Sequence, residues 1–166
     1  MKVEFQLKNG KSFTVEVNKE TYLTKNFKLK ELAYSGSGIN FIMNADVDVW
    51  LSILQDFRLW YNAPITPNSG YRPAEYNKKV GGVSNSLHIR NLAIDFSVKN
   101  MTDARYMACA YKLKELCQKR GIIGEINFYS TYIHIGVFAE KNGYKEFQCR
   151  DYRKPTNTKK YTLIKI

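Results

Sequence analysis

Asn85-Ser86-Leu87-His88-Ile89-Arg90-Asn91-Leu92-Ala93-Ile94-Asp95 is the stretch on which the fold turns. On one helix, the seven residues from His88 to Asp95 would span about 10 Å along the axis, too far for both side chains to share one metal ion. The chain must therefore fold back between them. Asn91 is a residue type that tolerates the left-handed conformation of such a turn. From Leu92 the sequence alternates, setting Ala93, Asp95 and Ser97 on one face of a strand and Leu92, Ile94, Phe96 and Val98 on the other. Asp95 then projects into a cleft. The second of the chain's two histidines lies in Tyr132-Ile133-His134-Ile135-Gly136, where the same period turns Ile133, Ile135 and Val137 to the core and His134 away from it. Two imidazoles and one carboxylate, His88, Asp95 and His134, make a three-ligand zinc site with a position left open for water.

Outward from this stretch, strands are expected over 92–98, 122–128 and 132–138. A hairpin of the last two, centred between Tyr129 and Ser130, places Glu125 directly across from His134. Val47, Trp50, Leu51, Leu54, Phe57 and Tyr61 recur at helical spacing behind the cap residue Asn44. A second helix starts near Thr102 or Asp103, carries the stripe Tyr106, Cys109, Ala110, Leu113, Leu116 and Cys117, and stops at Gly121. Residues 3–17 alternate around Asn9-Gly10, which predicts a hairpin with a two-residue turn, its apolar set covering one side of the domain. Helices with mainly local strand pairs define an α+β class: a small antiparallel sheet with flanking helices.

The chain has 166 residues, 44% hydrophobic and 25% charged, which suits a single globular domain over 1–166 and excludes a disordered or fibrous chain. Three cysteines without CxxC spacing argue for reduced structural thiols. Met1-Lys2-Val3-Glu4 opens no apolar run, so a secretory signal is not expected, nor is a membrane partner. The net charge of +11 implies attraction to a polyanion. It is densest after Lys141, in an extension over 141–166 that reads either as a solvated basic tail or as a docking surface for anionic wall polymers. Charge alone makes nucleic acid a weak candidate.

Ser69-Gly70-Tyr71-Arg72, Tyr76-Asn77, Val80-Gly81-Gly82, then Ser86-x-His88-x-x-x-x-Ala93-x-Asp95 and Tyr132-Ile133-His134-Ile135 together resemble the zinc D-alanyl-D-alanine carboxypeptidase family, peptidase family M15. That family includes phage cell-wall endopeptidases and shares its fold with the hedgehog signalling domain. The resemblance runs from about Leu23, where Leu23-Thr24-Lys25-Asn26-Phe27 and Leu29-x-Glu31-Leu32 look like phage-type members, to about Phe138. The hairpin over 1–20 and the basic extension lie outside it. It implies one zinc ion on His88, Asp95 and His134. It also implies a substrate contact by Tyr71, Arg72 and Ser86, with Arg72 holding a developing oxyanion or a substrate carboxylate. Arg72 has a plainer reading as a structural ion pair beneath its turn. Ser86 orients the metal loop, since no third histidine exists to activate it as a nucleophile.

Some family members carry an acid two residues after, or three before, the last zinc histidine, where this chain has Gly136 and Thr131. Glu125 is then the expected general base. The resulting expectation is a monomeric zinc metallopeptidase of peptidoglycan stem peptides, made in the cytoplasm and reaching the wall after release or in a virion. The rival expectation is a non-catalytic, zinc-containing wall-binding or virion structural module.

Overall fold

Alternating segments build two sheets in the computed structural model, which describes residues 1–166. The smaller sheet joins β1 (Lys2–Gln6), β2 (Ser12–Glu16) and β3 (Phe41–Met43) in the order β2-β1-β3. The larger joins β4 (Thr66–Ser69), β5 (Ala93–Ser97), β6 (Gly124–Phe128), β7 (Ile133–Val137), β8 (Gln148–Asp151) and β9 (Thr162–Leu163) in the order β4-β5-β7-β6-β8-β9. Its pairs are antiparallel except β6 with β8, and in the smaller sheet β1 runs parallel to β3. Both sheets are thus mixed, where a wholly antiparallel one was expected. The 141–166 extension is no loose tail, because β8 and β9 complete the larger sheet. Four helices, α1 (Leu29–Leu32), α2 (Ala45–Tyr61), α3 (Ala74–Lys79) and α4 (Asp103–Gln118), give the α+β class expected.

The two long helices begin where the sequence offers a cap. Asn44 Oδ1 accepts from the Val47 N–H at 3.0 Å, and Thr102 Oγ1 from the Arg105 N–H at 3.3 Å. Their apolar stripes cover one face of the larger sheet, with Phe57 meeting Phe96 edge-on at 5.6 Å and Tyr106 against Phe128 at 4.8 Å. Leu54, Leu113, Ile126 and Ile135 are fully buried in this layer, each stabilising the fold by roughly 1.5–3 kcal/mol. Cys109, Cys117 and Cys149 are buried, unpaired and pushed up to about 12 by burial, which keeps them inert thiols. No helix is long and apolar enough to cross a membrane.

The N-terminal hairpin departs from expectation in two ways. Only Gly10 takes a positive φ, at 80°, and the bonds Gly10 N–H to Leu7 O and Leu7 N–H to Lys11 O enclose a three-residue loop. A single left-handed residue gives a tight turn followed by a bulge, whereas a two-residue turn needs two. Nor does its apolar set cover the domain: Val3 is buried, but Leu7, Phe13 and Val15 are exposed. Strand β2 is an exposed edge whose one aromatic contact is the stacking of Phe13 on Phe5 of its own hairpin, at 5.3 Å.

The face of the larger sheet away from the helices is polar. One row of directly paired residues crosses all its strands: Ser69, Asp95, His134, Asn127, Arg150 and Leu163. Against it sits the loop leading to a 3-10 turn at Leu87–Arg90, capped by Ser86 and closed by Asn91 at φ 57°, the left-handed residue that the sequence requires. Gly70 joins loop and sheet. Its own carbonyl receives the His88 Nδ1–H at 2.7 Å, and a Cβ there would collide with the Leu32 carbonyl oxygen.

Gly70→Ala is therefore expected to destabilise the fold by about 1–3 kcal/mol in chemical denaturation, the range for forcing atoms into a filled space. A variant as stable as the parent would show that the backbone yields there freely.

Candidate metal centre

Strand register brings Asp95 opposite His134, and the turn at Asn91 carries His88 back over both. Three atoms converge: His88 Nε2 lies 3.1 Å from His134 Nδ1 and 3.2 Å from Asp95 Oδ1, and His134 Nδ1 lies 2.9 Å from Asp95 Oδ1. All three residues are buried. Each imidazole has its other nitrogen engaged: His88 Nδ1–H donates to the Gly70 carbonyl at 2.7 Å, and His134 Nε2–H to Glu125 Oε1 at 3.2 Å. These partners turn both ring lone pairs inward.

The donor set fits a divalent cation. Three lone-pair donors face one another with nothing between them to accept. Their mutual distances approach the roughly 3.3 Å separating donors around a tetrahedral zinc with bonds of about 2.0–2.1 Å. Without a cation, a proton must serve. Burial lowers His88 despite Asp95 beside it. Burial would also lower His134, but Asp95 and Glu125 at its two nitrogens raise it to about 9. Burial opposes the Asp95 charge, yet the hydrogen bond and charge of the His134 imidazolium hold its carboxyl well below the usual range. The metal-free cluster is thus an imidazolium between two carboxylates.

Arg72, from the turn after β4, uses Nη2 on Asp95 Oδ2 and Nε on Ser69 Oγ at 2.7 Å. It orients the carboxylate, as its ion-pair reading anticipates, and leaves Nη1 without a protein partner. Ser86 Oγ accepts from the His88 N–H at 3.3 Å, in keeping with an orienting role. Tyr71 does not join the site. Its side chain turns into the core and is 7% exposed, because its position alternates to the opposite side from Arg72.

Glu125 faces the site but is not directly opposite His134. The hairpin loop is Ser130-Thr131, one residue later than the expected centre, so pairing moves by two: Asn127 opposes His134 and Glu125 opposes Gly136. A shift of two preserves the face. Glu125 Oε2 accepts from Arg150 Nη1 at 3.1 Å. Burial raises its carboxyl, but His134 and Arg150 outweigh that and hold it below the ordinary value.

The triad lies in a cleft of about 550 Å³ whose charged lining, imidazoles aside, is Arg72, Asp95, Glu125 and Arg150. Arg150, Asn127, Gln148 and the tyrosines 129, 144, 152 and 161 are lining residues that the sequence reading missed. The alternation of Phe147, Cys149 and Asp151 with Gln148, Arg150 and Tyr152 was the available signal of a strand with one buried face. Much of the extension's charge is spent internally, Arg153 on Asp151 and Asp103, Lys154 on Asp103, Lys141 on Asp46.

The family model described as Peptidase M15 matches residues 25–136, which contain His88, Asp95 and His134. No curated protein sequence matches the chain.

Cation binding must displace the His134 proton. Affinity for a divalent metal is expected to rise about tenfold per pH unit from about pH 6.5 to about pH 9 and then level, with one proton released per ion, measured by titration calorimetry in buffers of different ionisation enthalpy. In the metal-free protein the sign reverses: the raised His134 contributes stability that is full below about pH 6.5 and lost as pH rises through about 9. Metal affinity independent of pH across this window would exclude the bridging imidazolium.

Proposed function

The chain belongs to the peptidase M15 family, whose members are zinc-dependent, and on that premise we infer that it hydrolyses the stem peptides of bacterial peptidoglycan with one zinc ion held by His88, Asp95 and His134. The reading covers both D-Ala-D-Ala carboxypeptidase and L-Ala-D-Glu-type endopeptidase action. The observation that carries it is the convergence of three oriented donors in the lining of a cleft of about 550 Å³. Release by lysis, or carriage in a virion, would bring such an enzyme to the wall.

Bound zinc supplies a Lewis acid for the scissile carbonyl and lowers the pKa of water. The chain's own residues do the rest. Arg72 fixes the second oxygen of Asp95, and its unpaired Nη1 offers a donor for the negative charge that develops on the carbonyl oxygen. Glu125 is the one carboxylate lining the cleft besides Asp95. Its depressed pKa keeps it ionised at neutral pH, so it can take a proton from the attacking water and hand it to the leaving amine. The same depression limits its basicity, which is the cost of its bonds to His134 and Arg150.

Purified protein is expected to carry about one zinc per chain, with His88→Ala, Asp95→Ala and His134→Ala each lowering occupancy in metal analysis. Glu125→Gln should lower turnover of purified muropeptides, followed by mass spectrometry, by roughly a hundredfold while zinc content stays normal. Unchanged turnover would sink the proton-transfer role. Zinc lost together with activity would leave Glu125 only its support of His134.

A further inference from the structure

Arg150 stands in the part of the chain that the family match does not reach, yet it ends in the cleft. It is 7% exposed. Strand β8 delivers it in register with Asn127, and through Asn127 with His134. Nη1 donates to Glu125 Oε2 at 3.1 Å and to Asn127 Oδ1 at 3.3 Å. The guanidinium carbon lies 4.9 Å from the Tyr144 ring centroid and 5.6 Å from that of Tyr161. These contacts immobilise the group and hold its plane. They leave Nη2 and Nε, the two nitrogens of one fork edge, without any acceptor from the protein. The contrast with Arg72 is direct, since Nε and Nη2 of Arg72 are already committed to Ser69 and Asp95.

The free edge opens on the cleft, where water answers it until a ligand with suitable acceptors takes its place. That edge matches the two oxygens of a carboxylate, which it can bind in parallel. Charge points the same way. The cleft's two arginines and two carboxylates cancel, so a divalent cation on the triad leaves the cleft positive and favours an anionic ligand.

We propose that Arg150 is the residue that seats a carboxylate of the substrate, making this enzyme selective for stem peptides that carry a free carboxylate near the cleaved bond. The identity of the ligand rests on the peptidase reading above; the site itself rests on Arg150. Two sources share this chemistry: the C-terminal carboxylate of a terminal D-alanine, and the α-carboxylate of a γ-linked D-glutamate inside the stem.

The test uses the zinc-loaded full chain and synthetic stem peptides in which each carboxylate is left free or converted to its amide. Equilibrium binding is measured by calorimetry at a temperature that suppresses turnover, and kcat/KM is measured separately. Amidation of one of the two carboxylates is expected to weaken binding by roughly tenfold to a hundredfold, the worth of a pair of charge-assisted bonds, and the position affected identifies the source. Arg150→Gln, which can still donate to Glu125, should bind the acid and the amide alike. The comparison in the unaltered protein needs no variant, so a misfolded Arg150→Gln would not blunt it. Equal binding of acid and amide forms to the unaltered protein overturns the proposal, as does a folded Arg150→Gln that keeps the full preference. Selective binding without cleavage of any peptide would uphold the carboxylate site and count against the peptidase reading instead.

Discussion

The pairing of Asp95 with His134 across β5 and β7 is the contact from which the rest of the site is built. Both strands alternate between a face packed on α2 and α4 and a face open to the cleft, so burial of Ile94, Phe96, Ile133 and Ile135 fixes where the carboxylate and the imidazole point. A slip of one residue in either strand would bury a charged group among apolar side chains and lift an apolar one into the cleft. The cost of that exchange, several kcal/mol for an unpaired buried charge, exceeds what any single site contact could restore. Register in the core and geometry at the candidate metal centre are therefore one constraint seen from two faces of the sheet.

Much of this was legible. The seven-residue gap between His88 and Asp95 excludes a shared helix and demands a reversal, and the left-handed Asn91 supplies it. Period-two alternation identified the faces of β5, β6 and β7, and the caps Asn44 and Thr102 marked the long helices. What escaped was of two physical kinds. Turn chemistry determines register only when the loop residues differ enough in preference. Ser130-Thr131 and Tyr129-Ser130 are similar enough that the hairpin centre was misplaced by one residue. Long-range pairing leaves a weaker trace: β8 joins β6 in parallel, and although residues 147–152 alternate, Arg150 and Asp151 stand together in that run, so its one apolar face was easily read as part of a solvated basic stretch. Tyr71 shows the reverse error, a motif residue whose side chain serves the core.

Gly136 and Glu125 illustrate how a missing side chain and a present one can be coupled. Glu125 lies opposite Gly136, and a Cβ at 136 would stand 3.3 Å from Glu125 Cγ and 2.6 Å from Leu87 Cδ1. A carboxylate carried two residues past His134 would compete for the space that Glu125 fills. The chain instead brings its acid from the neighbouring strand, where it also fixes the His134 tautomer and is matched in charge by Arg150. Arg72 with Asp95, and Arg150 with Glu125, thus flank the two imidazoles as neutral pairs, which lowers the cost of keeping four charges in a buried cleft.

The parallel joining of β8 to β6 makes one wall of the cleft depend on residues after Lys141. His88, Asp95 and His134 converge through the pairing of β5 with β7 and the turn before β5, whereas Arg150, Tyr152 and Tyr161 line the cleft because β8 and β9 add to the sheet. Loosening β8 and β9 would open the cleft on one side and leave in place the convergence of the three donors, which β5, β7 and the turn at Asn91 set.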